Sequence, residues 1–208
     1  MKIRWLTVII TVVIAGVLVA ILAHKKSVKK EIATAPNVPP AMIAAEISAA
    51  IDYGKKHKDD LLVDFKKPWT VFLGYDHGKG SATIFTPYYC LALMARNSAR
   101  DNSEMDTEVI CRLCAEKHKE PYFEVTLYSM NDFFDRDYKA VILKDDREVP
   151  ILETFHRGYD MAREYMIFSQ QKLYFSADIL SDKGKITLRI IKPEEAPLDF
   201  VFDLENIP

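Results

Sequence analysis

Cys111, Cys114 and His118 are the one grouping in this chain whose residue types and spacing suit a soft metal ion or thiol chemistry. On a helix, positions i, i+3 and i+7 share a face, so two thiolates and an imidazole can meet one ion such as zinc. Zinc then needs a fourth ligand or a water, and Cys90 is the remaining cysteine. The flanking sequence favours a plainer reading. Zinc-binding Cys-x-x-Cys pairs sit in turns that wrap the ion. Redox pairs sit at a helix N-terminus, where the dipole lowers the thiol pKa. Cys111 falls about two turns inside its predicted helix. Ala115 follows Cys114 where c-type haem attachment needs a histidine. Ile110, Leu113 and Cys114 fit a core stripe, so buried free thiols are the expectation. A disulfide using Cys90 is the first alternative, and Cys111, Cys114 and His118 stand as weak metal candidates only. No cofactor is expected.

Other clusters reduce to turns and loops. Gly74 to Ser81, GYDHGKGS, has the wrong spacing for a phosphate-binding loop and precedes a strand, so it reads as a hairpin turn. Asn131, Asp132, Asp135 and Asp137 offer four oxygen donors but lack the glycine and terminal glutamate of a calcium loop, which predicts a solvated loop. Asp145-Asp146 reads as a turn. His77 and His156 read as lone loop residues. No local catalytic motif of the G-x-S-x-G or H-E-x-x-H type is present, so no catalytic residue is assigned and the chain leans away from an enzyme.

The elements that must position these residues begin with an uncharged run. Trp5 to Ala23, WLTVIITVVIAGVLVAILA, contains nineteen residues without a charge. As a helix it is about 28 Å long, close to the roughly 30 Å hydrocarbon core of a bilayer. Residues 1–30 therefore read as a transmembrane anchor with basic flanks. The run exceeds a signal-peptide core and lacks a small residue at the −3 position of a cleavage site, so retention is expected. Lysines flank both ends and nearly balance the positive-inside rule. The very short leading tail favours a signal-anchor with its N-terminus inside, which puts the remaining domain outside the cytoplasm on a single-pass cell-membrane protein. Gly16 and Ala20 form a small-xxx-small pair that would permit association of spans. The charge is split: residues 1–30 carry six Lys/Arg and no acid, while all 30 Asp/Glu follow, under a net charge of −2 for 208 residues. An acidic domain is repelled by phosphate backbones, which argues against nucleic acid. Three cysteines cannot all pair within one chain, which argues against a disulfide scaffold.

Residues 31–40 read as a Pro-rich linker and 41–67 as an amphipathic helix packing on the domain. In that helix Ile43, Ile47, Ala50, Ile51 and Gly54 share one face. Residues 68–208 read as a β-rich soluble domain with helices near 87–118. The hairpin WTVFLGY/ATIFT precedes an αα-hairpin whose first helix starts at Pro87 and whose second, from Glu104 to Lys117, is capped by Asn102 or Ser103. The strands expected after it are Tyr122–Ser129, Tyr138–Lys144, Glu164–Ser169, Lys172–Asp178, Lys185–Ile191 and Leu198–Leu204. Alternation within them predicts antiparallel sheets with one dry face. The fold expected is α+β, mainly β: a transmembrane helix, then an antiparallel β-sandwich of immunoglobulin-like type with an inserted helical hairpin. The function expected is a membrane-anchored interaction module held in the bilayer by residues 5–23 and meeting a protein or envelope-polymer partner. The alternatives are a metal- or redox-sensing domain or enzyme using Cys111, Cys114 and His118, and a structural subunit of a membrane complex.

Overall fold

A computed structural model describes residues 42, 44–103, 106–117, 120–131, 134–163, 166–181 and 183–208. The predicted span Trp5–Ala23, the Pro-rich linker, Ile43, His118 and Asp132 lie outside them. Among the described residues no helix is long and apolar enough to cross a membrane. All described residues belong to one compact unit, Pro39–Pro208.

Among the described residues nine strands form two antiparallel sheets. The first contains β1 (Thr70–Phe72), β2 (Gly80–Phe85), β3 (Tyr122–Ser129), β6 (Glu153–Arg163) and β7 (Met166–Tyr174), in the order β1-β2-β3-β7-β6. The second contains β4 (Lys139–Lys144), β5 (Arg147–Val149), β8 (Lys185–Ile191) and β9 (Leu198–Asp203), in the order β5-β4-β8-β9. From β2 onward this is the immunoglobulin arrangement, A-B-E-D facing C′-C-F-G, with β1 added outside the A position. Unlike antibody domains, β3 and β8 carry no cysteine, and aliphatic and aromatic packing joins the sheets instead. Phe123 on β3 meets Phe202 on β9 with ring centroids 5.1 Å apart. Ile186, Leu188 and Ile190 alternate inward along β8, as their period of two predicts.

The outer face of the first sheet carries a second core, built with the helices. Phe85, Tyr122 and Tyr174 face one another across β2, β3 and β7 at 4.5 and 5.0 Å. Among the described residues four helices build this core: α1 (Ala44–Lys56), α2 (Leu62–Lys66), α3 (Pro87–Arg100) and α4 (Thr107–Lys117), with Tyr89 of α3 4.8 Å from Phe85. The α3–α4 pair is inserted between β2 and β3, where the αα-hairpin was expected. Thr86 starts α3 by accepting the Tyr89 N–H at 3.1 Å, with Pro87 at the first helical position. Ala50, Ile51 and Gly54 are the buried face of α1, as its spacing requires. Gly54 seats α1 on α3: a Cβ there would lie 2.1 Å from the Ala92 carbonyl oxygen.

Four expectations need correction. Trp69 closes a 3-10 turn (Lys67–Trp69) before β1 instead of starting the strand. Asp106, not Asn102 or Ser103, caps α4, accepting the Glu108 N–H at 3.2 Å. Ser103 instead closes α3, its hydroxyl and carbonyl bonding reciprocally with Ser98. The two strands expected at Glu164–Ser169 and Lys172–Asp178 are one strand, β7, running through Gln170 and Gln171. Finally, β6 and β5 were not anticipated. β6 is an exposed edge strand bulged near His156/Gly158 and Met161/Arg163, so it needs no apolar alternation. Asp145 and Asp146 do make a turn. Both have positive φ (48° and 64°), as the two-residue hairpin between β4 and β5 demands.

Candidate functional site

The cysteine grouping is rearranged by the fold. Cys90 on α3 and Cys114 on α4 are both buried, and the Cys114 thiol donates to the Pro87 carbonyl at 3.9 Å. Cys111 stands apart and half-buried, and His118 lies outside the described residues. The neighbouring Cys114 thiol, then burial, pushes the Cys90 thiol up. The interaction with Cys90 holds Cys114 below the usual thiol range. Burial raises Cys111. All three are free thiols, and no group of three or more His, Cys, Asp or Glu side chains suited to a metal occurs among the described residues. With a soluble disulfide reagent, Cys111 is expected to react first in the native protein. Cys90 and Cys114 should react only on unfolding, which a time course of thiol release would show.

The largest departure from the sequence reading is Asp135, expected in a solvated loop and found 4 % exposed. The β3–β4 connection tucks its carboxylate against β6 and β7. Tyr159 donates its hydroxyl to it at 2.5 Å and the Gln171 amide donates at 2.9 Å. The Ser169 hydroxyl donates to the same oxygen as Gln171. His156, on β6 and not in a loop, places Nε2 3.6 Å from that oxygen and 3.2 Å from Ser169 Oγ. Burial alone would raise this carboxyl. The bonds from Ser169, Tyr159 and Gln171 and the nearby His156 overcome it and hold Asp135 below the ordinary carboxylate range. Burial and the bond to Asp135 push the Tyr159 hydroxyl up to about 12.

Ser, His and Asp together suggest a nucleophile, but the proton order is wrong for one. His156 Nδ1 accepts the Gly158 N–H at 3.1 Å, so the ring proton sits on Nε2. Nε2 donates to Ser169 Oγ, and Ser169 donates to Asp135. A serine nucleophile needs a base that takes its proton. Here the imidazole gives one, and Ser169 is 1 % exposed. The space beside it, lined by Leu127, Tyr138, Ser169 and Gln171 among others, is about 10 Å³, room for one water and no organic substrate. The cluster is a clamp that ties the β3–β4 connection to β6 and β7. Asp135 lies 34 positions from Ser169 and 36 from Gln171, a separation that no local spacing rule detects.

A surface of different character lies at the β1 edge. Phe72 is 50 % and Tyr75 60 % exposed, yet their rings meet at 4.8 Å, and Tyr75 meets Tyr128 at 5.1 Å. Met130, 74 % exposed, lies two residues beyond Tyr128. Gly74, at φ 127°, supplies the turn that brings Tyr75 back towards Phe72. Rings held against one another at the surface lose little entropy when a partner covers them.

No family model matches the chain. No curated protein matches it either. Among solved structures, the chain is similar to an IgNAR antibody domain C3: 12 % identity over 42 % of this chain and 81 % of that chain, with a TM-score of 0.31.

Proposed function

We propose that this chain is a membrane-anchored interaction module that presents its β1-edge aromatic group, Phe72, Tyr75 and Tyr128 with Met130, to a protein partner outside the cytoplasm. The observation that carries the reading is the pair of exposed rings Phe72 and Tyr75, packed on each other and on half-buried Tyr128. Pre-organised aromatic anchors of this kind dominate the energetics of protein interfaces. The uncharged run Trp5–Ala23 with its basic flanks supports the anchor. The immunoglobulin-like topology is consistent with a binding role, although sandwiches host many functions.

Alkaline carbonate extraction tests the anchor, and protease added to intact cells tests the side. The chain is expected to stay with the membrane and to be cleaved from outside. A released chain contradicts the anchor, and a protected domain contradicts the orientation. For the surface itself, Phe72→Ser with Tyr75→Ser is expected to cost about 1 to 2 kcal/mol, the worth of the exposed ring contacts, and to leave the domain folded. The same double variant should lose the partner that co-purifies with the detergent-extracted wild type. Co-purification unchanged in a folded double variant would contradict the reading.

A further inference from the structure

Residues 55–67, KKHKDDLLVDFKK, carry five lysines against three aspartates, whereas residues 68–208 carry 17 Lys/Arg against 24 Asp/Glu. In the middle of this basic stretch three consecutive aliphatic side chains stand in solvent: Leu61, Leu62 and Val63 are 69, 45 and 71 % exposed. They are held in place. α2 turns Phe65 inward, 1 % exposed, against Tyr53, Trp69 and Tyr89 at 5.9, 5.8 and 6.2 Å. Arg96, 2 % exposed, donates to the Asp60 carbonyl and lays its guanidinium 5.3 Å from the centre of the Phe65 ring. His57 closes the preceding turn on the Asp60 carboxylate at 2.7 Å. Buried anchors therefore fix a knuckle whose tip is aliphatic and whose rim is mostly lysine.

We infer that Leu61, Leu62 and Val63 insert at the headgroup–acyl boundary of the bilayer that anchors the chain, with Lys55, Lys56, Lys58, Lys66 and Lys67 against anionic headgroups. An aliphatic tip with a lysine rim is the composition of a peripheral membrane contact. Asp60 is engaged by His57, which leaves Asp59 and Asp64 as the opposing charges. The inference rests on the anchor reading of Trp5–Ala23. From Ala23 to Ala44 the chain can extend about 70 Å, well beyond the roughly 20 Å length of α1, so the tether does not hold the knuckle away from the membrane.

The test uses the full chain reconstituted in vesicles of phosphatidylcholine and phosphatidylglycerol, with plain or brominated acyl chains. Trp5→Phe removes the span's own fluorophore, and buried Trp69 supplies a constant background. In this background Val63→Trp is expected to lose roughly half of its added emission to the brominated lipid, as suits a depth just below the headgroups. Val201→Trp, placed on the exposed edge strand β9, should lose none. Replacing phosphatidylglycerol with phosphatidylcholine should weaken the quenching at position 63. Arg96→Met, which frees the Asp60 carbonyl, should weaken it too. A chain released by carbonate overturns both the anchor reading and this one. A retained chain overturns this inference alone if position 63 is unquenched, if it is quenched no more than position 201, or if it is shielded by a protein partner.

Discussion

Asp135→Ala is expected to destabilise the domain by about 3 kcal/mol, because buried Ser169 and half-buried Tyr159 and Gln171 lose their acceptor together. Tyr159, Ser169 and Gln171 all point at one carboxylate, and the space beside it is too small to rehydrate them freely. Asp135→Asn keeps the volume but turns one oxygen into a donor facing donors, and is expected to cost about 2 kcal/mol. The pH dependence has a definite sign. The folded carboxyl is held below the ordinary carboxylate range by its donors. Its stabilising contribution is therefore complete above the ordinary range and is lost as pH falls through the lower folded value. The difference in unfolding free energy between wild type and Asp135→Asn should be constant from pH 5 to 7 and should shrink below about pH 4. Urea unfolding at several pH values measures this. A difference that grows on acidification would mean that the carboxyl is protonated in the folded state. The exposed pair Asp76–Lys79 and the pair of Glu195 with buried Lys192 contribute equally to both proteins and cancel.

Gly54→Ala separates the observed packing from helix propensity by its sign. On a solvent-facing helix, replacing glycine with alanine gains up to about 1 kcal/mol. Here the new Cβ would meet the Ala92 carbonyl oxygen at 2.1 Å and the Arg96 amide nitrogen at 2.9 Å, both backbone atoms that cannot swing aside. Overpacking of this kind costs about 3 kcal/mol, so the net expectation is a loss of about 2 kcal/mol once propensity is credited. Gly54→Val should lose more and prise α1 from α3, freeing the helical backbone at exposed Lys55 and Lys56 for cleavage by trypsin. Denaturation midpoints and the digestion pattern check both. Stabilisation by Gly54→Ala would mean that α1 does not rest on α3 at this point.

How far the fold was legible follows from how local each determinant is. β8 and β9 alternate over one wet and one dry face, and their residues read as strands without tertiary knowledge. α3 announces itself through Thr86 and Pro87, and α1 through the spacing of Ile47, Ala50, Ile51 and Gly54. β7 was split because Ser169 and Gln171 put polar groups on its inner face, where alternation demands apolar ones. Those are the two side chains on that strand that hold Asp135. β6 was missed because an exposed edge strand carries no core face along its length. The clamp was illegible for a related reason: a carboxylate among loop acids looks solvated until a distant strand covers it. The aromatic edge was equally hidden, since Phe72 and Tyr75 read as ordinary sandwich residues until their exposure is known. Cys90 and Cys114 share a face of contact only because α3 and α4 fold back on one another.

The central claim, that the β1 edge is the partner surface of a membrane-held domain, is tested most directly by site-specific photo-cross-linking of the full chain in its native membrane. A photoreactive phenylalanine analogue at position 72 or 75 is expected to give one discrete protein adduct of the same mass increment, lost when Met130 becomes Asp. The same analogue at exposed Glu148 on β5 should give none. Identical adducts from positions 72 and 148, adducts to polysaccharide instead of protein, or no adduct from either aromatic position would contradict the account.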